Sequence, residues 1–333
     1  MKKLSILLLC LLSAAVTLQA QVDLDKVGQS TMNFQLVTLS PRAAAMGAAF
    51  VAARGGAESI FYNPAAIRSE EAVNALAFYS TRWIADIDYM AMAMTRRLGA
   101  GSTLGFHILS VDYGEIRHTR LISPDEIEEH PLGYVDLGTM DNVGASSIGL
   151  SLARSISTQF SIGLTARLSG QNLGRSDLGN GLVDNSLMKT VFDAGVHYSN
   201  LEDWLHFAMS IRNFSSNAKR ELIYEQLPLL FTMGLSLNAE EFLPLGSGRS
   251  LLLTADFQHP NNFSERLDLG MELGLDRWIF LRGGYRFNRD LESWTLGAGL
   301  NTDLAGRALR LDYAFAAMDV FSAVNRFSLT LEL

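Results

Sequence analysis

The sequence predicts an all-β protein, a roughly 14-stranded antiparallel transmembrane β-barrel with an N-terminal hatch inside the lumen. Three observations carry that reading. Apolar residues make up 48% of the 333 residues, yet after residue 20 no apolar run approaches the roughly 18 residues that a membrane helix needs. Instead, segments of about ten residues alternate apolar and polar with period two, as strands do when one face meets lipid and the other a lumen. Ahead of them lies a small-residue stretch, 40–67, rich in Ala and Gly and nearly free of charge, suited to tight packing inside something larger. Taken alone, this stretch reads better as the buried helix of a soluble domain; the strands that follow turn the reading toward a hatch.

The chain opens with Lys2 and Lys3, an apolar run from Leu4 to Leu18 and then Gln19-Ala20-Gln21, the layout of a secretory signal peptide over 1–20. The single cysteine, Cys10, falls inside it, and a lipoprotein would need a small residue where Leu9 stands. The mature chain then has no thiol, which excludes disulfides and cysteine-based metal sites. Without Lys2 and Lys3, 25 Lys+Arg face 35 Asp+Glu, a net charge near −10. An acidic exported chain is a poor nucleic-acid binder.

The hatch is assigned to 21–70 and the barrel to 71–333. Within the hatch, Asn63 and Pro64 are expected to end the segment in a fixed turn, since Pro restricts itself and its predecessor and Asn bonds its local backbone. Strands are expected near 72–80, 87–97, 102–113, 143–154, 159–170, 187–199, 205–214, 228–238, 249–258, 265–275, 278–287, 292–302, 307–317 and 323–333. The strand at 265–275 is the clearest: Leu267, Leu269, Met271, Leu273 and Leu275 alternate with Arg266, Asp268, Gly270, Glu272 and Gly274. A soluble sandwich also alternates, but its apolar faces must meet each other and it rarely needs so many strands of this length. Connections alternate between short ones and a set that includes 114–142 and 171–186, so both termini are expected on the short-turn, periplasmic side of an outer membrane.

Lumen positions carry both signs of charge, among them Arg167, Asp193, Arg212, Asp256, Asp268, Glu272, Arg282, Arg286, Arg310, Asp312 and Arg326. Cross-strand pairing fits that mixture better than a filter of one sign. The second strand is apolar on both faces: Met90, Met92 and Met94 alternate with Tyr89, Ala91 and Ala93. The methionines are assigned to the hatch-facing wall, because adaptable Met suits an irregular apolar contact; a one-residue slip would reverse the facing. Trp83, Trp204, Trp278 and Trp294 lie near strand ends, as in an interfacial girdle. The acidic cluster at 125–129 lacks calcium-loop spacing, and no nucleophile motif, phosphate loop or His/Cys metal spacing is present. Neither catalysis nor a cofactor is expected.

Pro41-Arg42-Ala43-Ala44-Ala45-Met46-Gly47, then Ile60-Phe61-Tyr62-Asn63-Pro64-Ala65, resembles the N-terminal signature of the PorV/PorQ family, a branch of the FadL-like outer-membrane barrels. The stretch 281–287, LRGGYRF, together with 295–300, TLGAGL, and Leu311-Asp312-Tyr313-Ala314-Phe315 before Arg326-Phe327-Ser328-Leu329, resembles it too. The chain departs from the pattern at Leu333, where such barrels commonly end in an aromatic residue, and at Ala48, where members carry Gly. The resemblance implies a fourteen-stranded barrel with a hatch built on Pro41, Arg42, Gly47, Tyr62, Asn63, Pro64 and Ala65. It implies a role in type IX secretion, with secretion subunits or secreted proteins as partners beside outer-membrane lipid. The FadL alternative implies passage of long-chain fatty acids or other hydrophobic small molecules.

Overall fold

The computed structural model describes residues 29–333 except 69–71, 100, 141, 178–181, 221–222 and 244. The expected leader, with Cys10, and residues 21–28 of the expected hatch lie outside the described residues.

In chain order the strands are β1 (Asn74–Arg82), β2 (Asp88–Arg97), β3 (Ser102–Asp112), β4 (Arg117–Leu121), β5 (Tyr134–Thr139), β6 (Gly144–Ser155), β7 (Phe160–Asp177), β8 (Leu182–Ser199), β9 (Leu205–Phe214), β10 (Ala218–Arg220), β11 (Ile223–Glu225), β12 (Leu230–Asn238), β13 (Ser250–Pro260), β14 (Arg266–Gly274), β15 (Ile279–Phe287), β16 (Glu292–Leu304), β17 (Arg307–Met318) and β18 (Val324–Glu332). Fourteen of them form one closed antiparallel barrel, which β1 and β18 seal from Ala75↔Glu332 to Arg82↔Asn325. Closure leaves no strand edge unpaired, the condition for a sheet to sit in lipid. The other four strands form two hairpins, β4–β5 and β10–β11, inside connections that the alternation pattern leaves as loops.

The alternation becomes a two-faced wall. On β14, Leu269 and Met271 point out while Asp268 and Glu272 are buried within, so the sheet wears an apolar coat around a polar lining. The exception expected on β2 runs the other way. Met90 is 65% and Met94 46% exposed, whereas Ala91 is 7% exposed and Ala93 fully buried. Met90, Met92 and Met94 are therefore not the hatch-facing wall; they alternate outward, and Tyr89, Ala91 and Ala93 face the hatch. The cause is volume. Ala93 stands in register with Ala77, and with Ala91 these small inward side chains leave space that the hatch fills.

Short turns at 156–159, 275–278 and 305–306 mark one rim. Leu333 and Asn74 exchange backbone hydrogen bonds there, so the end of β18 and the start of β1 share it. The first described residues lie at the opposite rim, with Ser30 bridged to Gln226 next to β11 and bonded by Asn262 after β13. From there the chain runs through the lumen to the short-turn rim before entering β1. The expected N-terminus itself lies outside the described residues.

Candidate functional site in the hatch and its wall

The lumen segment is built from short pieces because its sequence supports nothing longer. Ser40 caps a one-turn helix, Pro41–Ala45, by accepting from the Ala43 amide at 3.3 Å, with Pro41 at the first helical position where its missing N–H costs nothing. Gly47 then turns left-handed at φ 64°, and Ala48 follows at φ 65°. The turn presses backbone against backbone: a Cβ on Gly284 of β15 would lie 2.0 Å from the Gly47 nitrogen. Thr295 of β16 fastens the spot, accepting from the Gly47 amide at 3.0 Å and donating to the Ala45 carbonyl at 2.9 Å.

The other end of the hatch is held by Asn63. Its Oδ1 accepts from the Ala65 amide at 3.0 Å, and its Nδ2 donates to the carbonyls of Val51 at 3.0 Å and Val196 of β8 at 3.2 Å. One fully buried amide thus ties its own turn, the middle of the hatch and the barrel wall. Pro64–Ala66 continues as a single 3-10 turn. Two wall glycines make room: a Cβ on Gly163 would fall 2.2 Å from the Pro64 carbonyl carbon, and one on Gly195 2.0 Å from Asn63 Oδ1. Tyr62 closes back on the helix cap, its hydroxyl accepting from the Ser40 amide at 3.0 Å and its ring lying edge-on to Phe50 at 5.2 Å.

Between these ends lies a closed ring of alternating charges. Arg42 pairs with Glu58 at 3.1 Å and Glu272 at 2.7 Å; Glu272 pairs with Arg282 at 2.5 Å; Arg282 pairs with Asp312 at 2.7 Å; Asp312 pairs with Arg310 at 3.0 Å; and Arg310 returns to Glu58 at 2.9 Å. Ser40 Oγ donates to the second Glu58 oxygen at 2.6 Å. Three guanidiniums and three carboxylates cancel, and each charge has two opposite neighbours, which is what makes burying them tolerable. The hatch contributes Arg42 and Glu58, a neutral pair; β14, β15 and β17 contribute the other four, also neutral.

The far side of the hatch is apolar. Met32, Phe34, Leu39, Ala57, Ile60 and Ile67 pack against the inward residues of β1, β2 and β3 in one continuous cluster. That seam reaches from Met32 and Leu227 at the long-loop rim to Ile67 and Ala153 at the short-turn rim. Each large side chain buried there contributes roughly 1.5–3 kcal/mol relative to exposure. Behind it, on the outer surface, the wall carries an apolar groove of about 1000 Å³ lined by Phe78, Met90, Met92, Leu311, Phe327 and Leu329 among others. Trp83 joins the inner cluster and lies under the Arg326 guanidinium at 5.3 Å, so it serves the hatch contact more than an interfacial girdle.

Every hatch residue singled out by sequence, Pro41, Arg42, Gly47, Tyr62, Asn63, Pro64 and Ala65, thus lies in the lumen or at its wall contacts. Sequence reading missed Glu58, the hub of the ring, although it is the one acid in the small-residue stretch. It also missed Gly163, Gly195 and Gly284 as landing places, for which strand-interior glycine was the available signal.

A barrel of fourteen antiparallel strands with an apolar coat and a filled lumen is a plugged membrane β-barrel of the outer-membrane type. Among solved structures the fold is similar to the CymD monoaromatic hydrocarbon channel, at 12% identity over 89% of this chain and 97% of that chain, with a TM-score of 0.53. It is likewise similar to the Pseudomonas putida toluene transporter TodX, at 10% identity over 88% and 96% of the two chains and a TM-score of 0.52. A TodX deltaS2S3 mutant gives 10% identity over 88% and 97%, with a TM-score of 0.55. No family model matches the chain, and no curated protein matches it in sequence. The architecture is FadL-like, and these likenesses are of fold.

Proposed function

We propose that this protein passes hydrophobic small molecules at the outer membrane along the apolar side of its hatch. The observation that carries the reading is the continuous apolar seam between the hatch and β1–β3, in a fold shared with hydrocarbon channels. On the opposite side the ring of ion pairs holds the hatch to the wall, so an apolar guest meets least resistance where contacts are non-directional. In this reading the short turns and Leu333 face the periplasm and the two hairpins face outward. The protein is a conduit and catalyses nothing. The test is uptake of labelled oleate and of toluene by cells that depend on this barrel, comparing wild type with Ala93→Phe, which narrows the seam; both proteins are first checked for heat-resistant folding. Loss of uptake with a folded barrel supports the route, and unchanged uptake of both compounds overturns it.

A second reading, docking of secreted proteins or type IX secretion subunits, is favoured by the hairpin end. Leu121 is 83%, Leu132 77% and Ile127 59% exposed around β4 and β5, outside the barrel wall. The hairpin is braced by a forked Arg120–Glu126 pair, at 3.0 and 2.9 Å, and by a capping box at Ser123. The Arg120 hydrogen bonds, with that of the Ser123 amide, hold the Glu126 carboxyl down to about 2. Its bracing is therefore complete above the ordinary carboxylate range and fades only as pH falls toward that value. Affinity purification from outer membranes separates the readings: secretion subunits that come with wild type but not with a Leu121→Ser, Leu132→Ser variant would favour docking.

A further inference from the structure

On the outer face of the barrel, two cations stand where β2, β3 and β6 reach the short-turn rim. Arg96 ends the outward stripe of β2 that carries Met90, Met92 and Met94, and it is exposed. Two strands away, exposed Arg154 ends the outward stripe of β6 after Ile148, Leu150 and Leu152. Between them β3 sets Leu104 in register with Arg96 and Ser102 in register with Arg154, whose Nη1 donates to Ser102 Oγ at 2.9 Å. By strand spacing the two arginines lie roughly 12 Å apart on the wall. Among the described residues no carboxylate pairs with either. The acids of β1, β2, β3 and β6 are Asp88 and Asp112, both at the opposite rim, where Asp88 lies 3.8 Å from Arg82.

Further up the same strands the wall is apolar and concave. The outer groove of about 1000 Å³ runs over Phe78, Met90, Met92 and Ile108 and on to Leu311 and Phe327. Asp312, which borders it, turns its carboxylate inward to the ring. Along β2, Met92 stands about 13 Å from Arg96, close to half the thickness of a hydrocarbon core, about 15 Å. Leu76 and Met94, in register, fill the row between. An amphiphile whose charged head meets the arginines therefore brings its chains to the groove, and methionine adapts to an occupant without fixed shape.

We propose that this face is a binding site for one anionic phospholipid of the leaflet on the short-turn side, its phosphate between Arg96, Arg154 and Ser102 and an acyl chain in the methionine groove. Charge complementarity names the occupant. Two guanidiniums without carboxylates suit a phosphate, which each can meet with two parallel donors, and basic residues at this depth attract anionic headgroups. A second copy of the chain fits less well, since a twofold pairing sets two concave faces and four arginines against one another. The site lies on the outer surface and is independent of what passes the seam.

The test uses the full-length barrel, purified in non-ionic detergent and titrated with dioleoyl phosphatidylglycerol or dioleoyl phosphatidylcholine. Native mass spectrometry should show one phosphatidylglycerol retained per barrel and phosphatidylcholine held weakly. The Arg96→Gln, Arg154→Gln double variant, checked for heat-resistant folding, should retain phosphatidylglycerol roughly 30-fold more weakly. In phosphatidylcholine vesicles, a phosphatidylglycerol with a mid-chain diazirine should on illumination label wild type at Met90, Met92 or Phe327, and label the double variant evenly around the coat. Equal retention of the two lipids by wild type overturns the proposal without recourse to any variant. Unchanged retention in the folded double variant, or even labelling of wild type, overturns it as well. A species of two barrels without lipid would assign the groove to a second copy and overturn it too.

Discussion

The two sides of the hatch are held by opposite physics. Against β14, β15 and β17 the contact is a ring of six charges with fixed partners; against β1, β2 and β3 it is apolar side chains meeting alanines, tyrosines, Leu109 and Val111. The charged side specifies one position, because any shift strands a buried ion without its partner. The apolar side supplies adhesion without direction, and a small displacement there costs only contact area. A hatch built this way has a hinge-like side and a yielding side, and the yielding side is where the proposed route runs.

Breaking the ring should have the largest effect. Glu272→Ala leaves both Arg42 and Arg282 short of a carboxylate, and the barrel should lose about 3–5 kcal/mol, the range for removing one partner of a buried pair. Denaturant unfolding in lipid vesicles, followed by tryptophan fluorescence, measures it; a loss no larger than that of an exposed pair would mean the ring holds nothing.

On the apolar side the outward stripe of β2 is the place to press. Met92→Arg puts a charge on the lipid face at mid-strand and should cost about 2–4 kcal/mol. The same strand offers a check of facing, since the mature chain is expected to carry no other thiol. Cysteine at Ala93 should cross-link under mild oxidation to cysteine within the 3-10 turn Gly56–Phe61, and cysteine at Met92 should not. Cross-linking through position 92 would restore the methionines to the inner wall.

Gly284→Ala should then sharpen the contrast between directional and adaptable contact. Its Cβ would meet the Gly47 backbone, which cannot yield, and the expected loss is about 1–3 kcal/mol. Its neighbour Gly283 faces the flexible Leu296 side chain at 3.8 Å, so Gly283→Ala should leave the unfolding midpoint where it was. Equal effects at the two positions would mean that the hatch is not seated on β15.

The smallest effect runs in the stabilising direction. Ala48 is left-handed at φ 65°, a conformation that costs an L-residue about 1–2 kcal/mol, partly offset in Gly by about 0.4–1 kcal/mol of unfolded-chain entropy. Ala48→Gly, which restores the residue of the resembling signature, should therefore raise stability by up to about 1 kcal/mol, read from the same unfolding curves. A lower midpoint would show that the Cβ of Ala48 contributes packing that outweighs the strain.

By itself the sequence determined the fourteen barrel strands and which residues of most of them face inward, because period two combined with one lipid face leaves a single solution at strands such as β14; the hairpins β4–β5 and β10–β11 carry no such pattern and were not legible. It also determined the hatch turn at Asn63-Pro64, since the chemistry of that turn is local. On β2 it could not determine the facing: both faces are apolar, lipid accepts either, and only the volume of the hatch selects Ala91 and Ala93 over Met92. The ring was equally out of reach of the sequence, although five of its six members could be named as hatch or lumen residues. Arg42 and Glu272 stand 230 positions apart and Arg310 and Glu58 252, and a charge shows its sign in the sequence but not its partner. Only closure of the barrel around the hatch brings those positions within hydrogen-bond distance, because the pairing of buried charges depends on distances of a few ångströms that no local pattern encodes.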